Sequence, residues 1–134
     1  MAWHVEYFKA KPTESGRSTL VEDAKPIECG ESLLVFASFE KSDESKETDI
    51  VDRAVNEIQS IASQLGINAI ILNPFAHLFA DLAKPQAANE MLNALYARLS
   101  DRKFSVCKLA FGMFYEIELK AKGHKLARIS RIIS

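Results

Sequence analysis

The residues most able to do chemistry in this chain are few and scattered. His77 stands in Asn73-Pro74-Phe75-Ala76-His77-Leu78, directly after a short apolar run. An imidazole there can serve as a donor or base near neutral pH, or can do no more than satisfy a neighbouring carbonyl. Phe111-Gly112 closes a second apolar run, where a glycine either permits a turn or lets main chain come close to a ligand. His4, His77 and His124 lie far apart without companion cysteines or carboxylates at ligand spacing, so no zinc or other metal site is expected. Cys29 and Cys107 have neither the number nor the spacing of a disulfide framework and read as free thiols. Nothing near Cys107 in sequence would lower its pKa for attack. Gly-x-Gly-x-x-Gly, the phosphate-binding loop, His-Glu-x-x-His and Gly-x-Ser-x-Gly are all absent, and no cofactor is expected.

The elements that must position these residues can be read from periodicity. Trp3–Phe8 is apolar and β-branched enough for a strand, a brief one given how little precedes it. The stretch 11–30 carries Pro12, Gly16, Pro26 and Gly30 and reads as loop or hairpin, with a possible strand around 18–23. Ser32–Lys41 is a near-continuous apolar run, as expected of a strand covered on both faces. Thr48 is a good helix cap, and Ile50, Val51, Ala54, Val55, Ile58, Ile61, Ala62 and Leu65 recur at helical spacing until Gly66. Asn68–Asn73 is another interior strand, ended by Pro74. Pro85 can open a second helix whose stripe is Ala88, Met91, Leu92, Leu95 and Leu99, with a break near Asp101.

Phe104–Phe111 is a further strand. After Gly112, strict alternation places Tyr115, Ile117, Leu119 and Ala121 against Glu116, Glu118, Lys120 and Lys122, a strand with one wet face. The stretch 125–133 fits either a short helix or a last strand. Two amphipathic helices and five or six strands describe a single α/β domain over residues 1–134, built on a mixed sheet.

Length and composition agree with one domain: 134 residues, 48% hydrophobic, suffice for one core. No run approaches the ~18 to 20 apolar residues of a membrane span and no secretion signal opens the chain, so a cytoplasmic protein without a membrane partner is expected. The net charge of −1 is unevenly distributed. Residues 98–134 hold nine Lys or Arg against three acids, a net +6, whereas the first 97 residues carry −7. Lys120, Lys122 and Lys125 in that basic third are candidates to face phosphate; the alternative is a set of solvated lysines on strand and turn positions.

Taken together, Pro74-Phe75-Ala76-His77-Leu78, Leu82-Ala83-Lys84-Pro85, Phe111-Gly112 and Lys122-Gly123-His124 resemble, in order and spacing, the N-terminal editing domain of archaeal threonyl-tRNA synthetases. His4-Val5-Glu6-Tyr7 and Val35–Lys41 are similar to that family's first two main strands, so the resemblance covers nearly the whole chain. It implies a D-aminoacyl-tRNA deacylase-like fold, a homodimer, and hydrolysis of the ester joining serine to the terminal adenosine of the tRNA for threonine. It also implies a narrow pocket of main-chain groups, a ribose 2′-hydroxyl that helps to position the attacking water, and the rest of a synthetase chain as partner, the present piece being excised from it. Because serine lacks only one methyl of threonine, a synthetic site rejects it by only ~1–3 kcal/mol, and a second, smaller site must supply the remainder.

The resemblance gives His77 the family's histidine position and makes Pro74, Phe75, Ala76, Phe111, Gly112 and Phe114 the substrate pocket. The chain departs from the family after Phe111-Gly112, where Met113 and Phe114 stand in place of the family's two tyrosines. Tyr115 occupies the place of the family's catalytic lysine, and Arg128 that of a glutamate. Arg128 facing the pocket could restore the lost cation; Tyr115 either reaches the pocket with its hydroxyl or is an ordinary core tyrosine. The competing functions are a tRNA acceptor-end binding module that lost turnover with the lysine, a D-aminoacyl-tRNA deacylase, and a dimerisation domain without ligand.

Overall fold

The computed structural model describes residues 1–15, 24–75 and 81–134. The possible strand around 18–23, as well as Ala76 and His77, therefore lie outside the described residues. The elements are β1 (Ala2–Ser15), β2 (Ile27–Cys29), β3 (Ser32–Ala37), a 3-10 turn (Lys41–Ser45), α1 (Glu47–Leu65), β4 (Ala69–Pro74), α2 (Pro85–Asp101), β5 (Ser105–Lys108), β6 (Met113–Ala121) and β7 (Arg128–Ile129). They form one mixed sheet in the order β2-β1-β3-β4-β5, with β6 and β7 also paired to β1. β3, β4 and β5 are parallel, and each successive pair is joined through one helix. Two crossovers stepping in one direction along the sheet place both helices in one core on one face, as crossovers of the same hand must.

That face holds the main core. Leu33, Val35, Ile70 and Leu72 from the sheet meet Val51, Val55, Ile58 and Ala62 of α1 and Ala88, Met91, Leu92, Leu95 and Leu99 of α2. The expected stripe of α2 is buried residue for residue, and Pro85 is its first residue, where a missing amide costs nothing. α1 starts one residue before the expected cap, Thr48. The preceding 3-10 turn, in which the Glu40 amide donates to Asp43 Oδ2 at 2.9 Å, delivers the chain already coiled, so no hydroxyl cap is used. α1 ends at Gly66, whose φ of 66° and ψ of 30° are left-handed and whose amide returns to the Ala62 and Ser63 carbonyls.

β1 is much longer than the brief strand expected. Its early residues pair with β3 (Ala2 opposite Val35, Val5 opposite Ser32) and its later ones with β2 (Phe8 opposite Cys29, Ala10 opposite Ile27). Along the other edge it pairs with β7 and then with β6 from Val5 opposite Ala121 to Ser15 opposite Met113. Lys9 and Lys11, loop-like in sequence, stand opposite Glu118 and Glu116, and Pro12 falls beside a register shift where a missing amide is tolerated. A second register shift between Val5 and Tyr7 makes a bulge at Glu6. It changes which side chains face inward, so that Val5, Phe8 and Ala10 all join Leu34, Ile71 and Leu109 in a second core. Thus the face away from the helices is covered by the sheet's own bent half, with Ile27, Cys29, Tyr115 and Leu119 packed against it. On β6 the alternation holds except at Ile117, which is 42% exposed. The stretch 125–133 contributes only the two-residue β7.

The bend is fastened by a polar cluster. The Leu126 amide donates to His124 Nδ1 at 3.2 Å, which leaves the His124 proton on Nε2, 2.8 Å from His4 Nδ1. That pattern in turn places the His4 proton on Nε2, which lies 3.3 Å from Glu31 Oε2, an attraction without hydrogen-bond alignment. Glu31 also receives Lys122 Nζ at 2.8 Å. The hydrogen bond and charge of Lys122, with a smaller part from His4, hold the Glu31 carboxyl below its ordinary value.

Two outcomes follow from these local arrangements. A Cβ at Gly66 would meet nothing within 4 Å, so Gly66→Ala is expected to cost only the left-handed backbone, ~1 kcal/mol in urea denaturation. Since the Glu31 pKa is depressed on folding, its contribution is present above the ordinary value of 4.5 and lost as pH falls through the depressed one. Glu31→Gln should accordingly flatten the loss of stability below about pH 4.5, measured as melting temperature against pH.

Candidate functional site

The parallel strands β3, β4 and β5 end on the same side of the sheet, and the chain leaving each of them lines one cavity of about 420 Å³. Ala37-Ser38-Phe39 comes from the end of β3, Asn73-Pro74-Phe75 from the end of β4, and Leu109–Tyr115 from the passage between β5 and β6. Leu82, Ala83 and Ala88 complete the described wall. Crevices at the carboxyl ends of parallel strands are where open α/β sheets bind ligands, and this volume lies within the range of small-molecule sites.

Main-chain hydrogen bonds fix the wall. The Phe75 amide donates to Ala37 O at 2.8 Å, Ala83 to Phe39 O at 2.9 Å, and Leu109 to Leu72 O at 2.9 Å. Gly112 has a φ of 79°, a conformation that L side chains rarely adopt, so glycine is needed for the chain to turn from Phe111 into β6. Inside that turn the Tyr115 hydroxyl accepts the Ala110 amide at 2.8 Å. Tyr115 is therefore both half-buried against the second core and part of the wall, its oxygen bracing the Leu109–Gly112 loop. Phe114 is 57% exposed at the rim.

Among the described lining residues the only polar side chains are Ser38, Asn73 and Tyr115. None is a carboxylate, imidazole, thiol, amine or guanidinium, so chemistry in this cavity must draw on main-chain groups, on residues outside the described set, or on the ligand itself. Ser38 Oγ is buried and makes no hydrogen bond among the described residues, while Asn73 is 8% exposed. Sequence reasoning singled out neither Ser38 nor the Leu109-Ala110 wall. The usable signal was position, since Ser38 leaves β3 just as Phe75 leaves β4.

Of the residues singled out from sequence, Pro74, Phe75, Phe111, Gly112, Phe114 and Tyr115 are brought together here. Ala76 and His77 follow Phe75 directly but are outside the described residues. Arg128 is not among the lining residues; its guanidinium lies 5.5 Å from the centre of the Trp3 ring. From Trp3 the aromatic row continues edge-on through Phe36, at 5.4 Å, to Phe75 in the wall, at 5.7 Å. Lys120 pairs with Glu6 at 3.1 Å and Lys122 with Glu31 at 2.8 Å, whereas Lys125 is exposed. No cluster of three or more His, Cys, Asp or Glu able to hold a metal occurs among the described residues.

A single mixed sheet with both helices on one face and this cavity at its strand ends is the architecture of a D-aminoacyl-tRNA deacylase-like editing domain. Residues 1–133 match the model of the Archaea-specific editing domain of threonyl-tRNA synthetase, and the chain belongs to that family. It is 35% identical over 130 residues to the threonine–tRNA ligase of Pyrococcus furiosus, which covers 97% of this chain and 21% of that protein. The corresponding ligase of Thermococcus onnurineus is 37% identical over 130 residues, again 97% and 21%. That of Methanopyrus kandleri is 35% identical over 121 residues, 88% of this chain and 19% of the ligase. The chain thus spans about a fifth of the length of the curated relatives it matches.

The bracing role of Tyr115 can be measured. Tyr115→Phe removes the acceptor of the nearly buried Ala110 amide and should destabilise the fold by about 1–3 kcal/mol, with faster hydrogen exchange at Ala110 as the local sign.

Proposed function

We propose that this chain is a proofreading hydrolase that removes serine wrongly attached to the tRNA for threonine. The observation that carries this reading is the cavity itself: six residues to which the family resemblance gives the pocket, or the place of the family lysine, lie around one crevice at the strand ends. Membership of the editing-domain family supplies the ester of a mischarged tRNA as the class of substrate. The described wall offers no charged side chain, which suits hydrolysis in which water attacks the ester carbonyl with help from the ribose 2′-hydroxyl. Pro74, Phe75, Ala76, Phe111, Gly112 and Phe114 hold the aminoacyl end, largely through main chain. His77 serves beside the ester as donor or base.

Tyr115 takes the family lysine's place by holding the Ala110 amide and keeping the wall in shape. Arg128 contributes positive charge from the neighbouring edge of the sheet, at the far end of the aromatic row that reaches Phe75. Lys120, Lys122 and Lys125 add phosphate attraction outside the cavity; two of them are already turned toward acids and would be shared. The domain acts in the cytoplasm as one part of a longer synthetase, as a homodimer, without cofactor.

One specific observation favours a second reading, in which the domain binds the tRNA acceptor end with little turnover: the Tyr115 hydroxyl is occupied by main chain, and Arg128 stands outside the wall. Comparing hydrolysis of the same tRNA charged with serine, threonine or a D-amino acid separates these possibilities. Loss of serine alone is expected, with a rate that falls at least tenfold in His77→Ala. Cleavage of the D-aminoacyl ester in preference would make the chain a D-aminoacyl-tRNA deacylase, and binding without cleavage of any ester would leave the acceptor-end module. For Arg128→Ala a severalfold slower deacylation is expected; an unchanged rate would confine Arg128 to stacking on Trp3.

A further inference from the structure

β2 and β5 stand at opposite ends of the strand order, with β1, β3 and β4 between them. Cys29 of β2 and Cys107 of β5 nevertheless bring their sulfur atoms to 3.4 Å. The bend in β1 explains this, because it carries β2 across the face that β5 also borders, and both thiols pack against the second core beside Phe8, Ile71 and Leu109. Both cysteines are free and half-buried, and the proposed hydrolysis uses neither. A contact between two thiols 78 residues apart is not needed to satisfy either group, since thiols are weak donors and acceptors.

We propose that Cys29 and Cys107 form an oxidation site, closing to a disulfide that ties the bent half of the sheet to the strand leading into the cavity wall. Bonding requires the sulfurs to approach from 3.4 Å to ~2.0 Å, a movement of side-chain size. A small-molecule disulfide such as oxidised glutathione supplies the oxidising equivalent. One of the two cysteines loses its proton, and its thiolate attacks one sulfur of the reagent, releasing the first small thiol. The other, deprotonated in turn, attacks the protein sulfur of the mixed disulfide and expels the second. Two thiol hydrogens and two electrons have then passed to the reagent, giving one protein disulfide and two small thiols.

The Cys29 thiol is pushed up to about 12 by burial, then by its hydrogen bond with Cys107 and by the charge of that group, so the paired thiols give up a proton reluctantly and the exchange speeds up as pH rises. Two consequences follow for the protein. Cross-linking residues 78 apart closes a long loop in the unfolded chain and so favours the folded state. In addition, Cys107 lies two residues before Leu109, which is bonded to Leu72 and opens the Leu109–Gly112 wall, so the bond fastens that wall's root.

The test is to incubate the reduced chain with oxidised glutathione, quench with acid, and read intact mass, a peptide map and the melting temperature. The expected result is a monomer lighter by two hydrogens, a Cys29–Cys107 peptide link, and a melting temperature raised by ~5 °C or more, reversed by dithiothreitol. Cys29→Ser and Cys107→Ser, which barely change side-chain size, should each lose the link and the rise while folding as the parent does. Persistent glutathione adducts on the parent chain, a link between two chains, or two thiols still free to Ellman's reagent would each overturn the proposal. Because no hydrolysis is read, the outcome is independent of the proposed deacylation.

Discussion

β1 is paired along both edges over residues 2–5 and 8–10 and along one edge as far as Ser15, with a bulge at Glu6 between those stretches, and the rest of the molecule depends on that combination. A straight strand would extend a flat sheet whose second face lay open to water, leaving Leu34 and Ile71 exposed on the side without helices. The bulge turns the ladder, and the unpaired break at Gly30-Glu31 between β2 and β3 lets the neighbouring edge turn with it. Apolar side chains of β1, β2 and β6 then cover the second face, so with α1 and α2 on the first both sides of the parallel strands are buried. The linked groups at the bend, His124 to His4 to Glu31 to Lys122, join three separate segments and are the polar counterpart of that turn.

The cavity is a product of the same bend. Parallel strands alone would give an open crevice at their carboxyl ends; here β6 starts from Gly112 at that end and runs back across the second face, adding Met113, Phe114 and Tyr115 as a further wall. The wall from Leu109 to Tyr115 is therefore turned by a left-handed glycine and held by one phenol, with no charged side chain among the described lining residues. Electrostatics follow from this construction. The basic third of the chain is spent largely outside the cavity: Lys120 and Lys122 meet Glu6 and Glu31, Arg98 pairs with Asp52, and Arg131 with Glu57.

Much of the architecture was legible in the sequence because local periodicity reflects which face is buried. The α2 stripe could be read without error since each of its residues faces the same core, and Gly66 could be read as a terminator because its backbone angle excludes other residues at little cost. β1 was underestimated for the opposite reason. Lys9, Lys11 and Pro12 look like loop residues in isolation, and only their partners about a hundred positions away make them strand. The same distance hid the His4–His124 and Cys29–Cys107 contacts, which no spacing rule relates. At the site, Pro74, Phe75, Phe111 and Gly112 stood out because proline and glycine punctuate strand ends. Ser38 ends its strand without such a marker, and the place of Arg128 over Trp3 depends on β7 pairing with the first residues of the chain.

How the wall is held bears on the proposed discrimination between serine and threonine. A wall of flexible side chains accommodates one extra methyl by rotating away, at a cost of ~1–3 kcal/mol, which is of the same order as the discrimination already available to a synthetic site. Main chain has no such freedom. The Phe75, Ala83 and Leu109 amides are each committed to a carbonyl of another segment, and the Ala110 amide to Tyr115, so displacing the wall means breaking hydrogen bonds as well as compressing atoms. Rejection of the larger substrate then adds the two costs instead of choosing the smaller. The Tyr115 hydroxyl, by holding the Ala110 amide, adds to that resistance without bringing a charge to the wall.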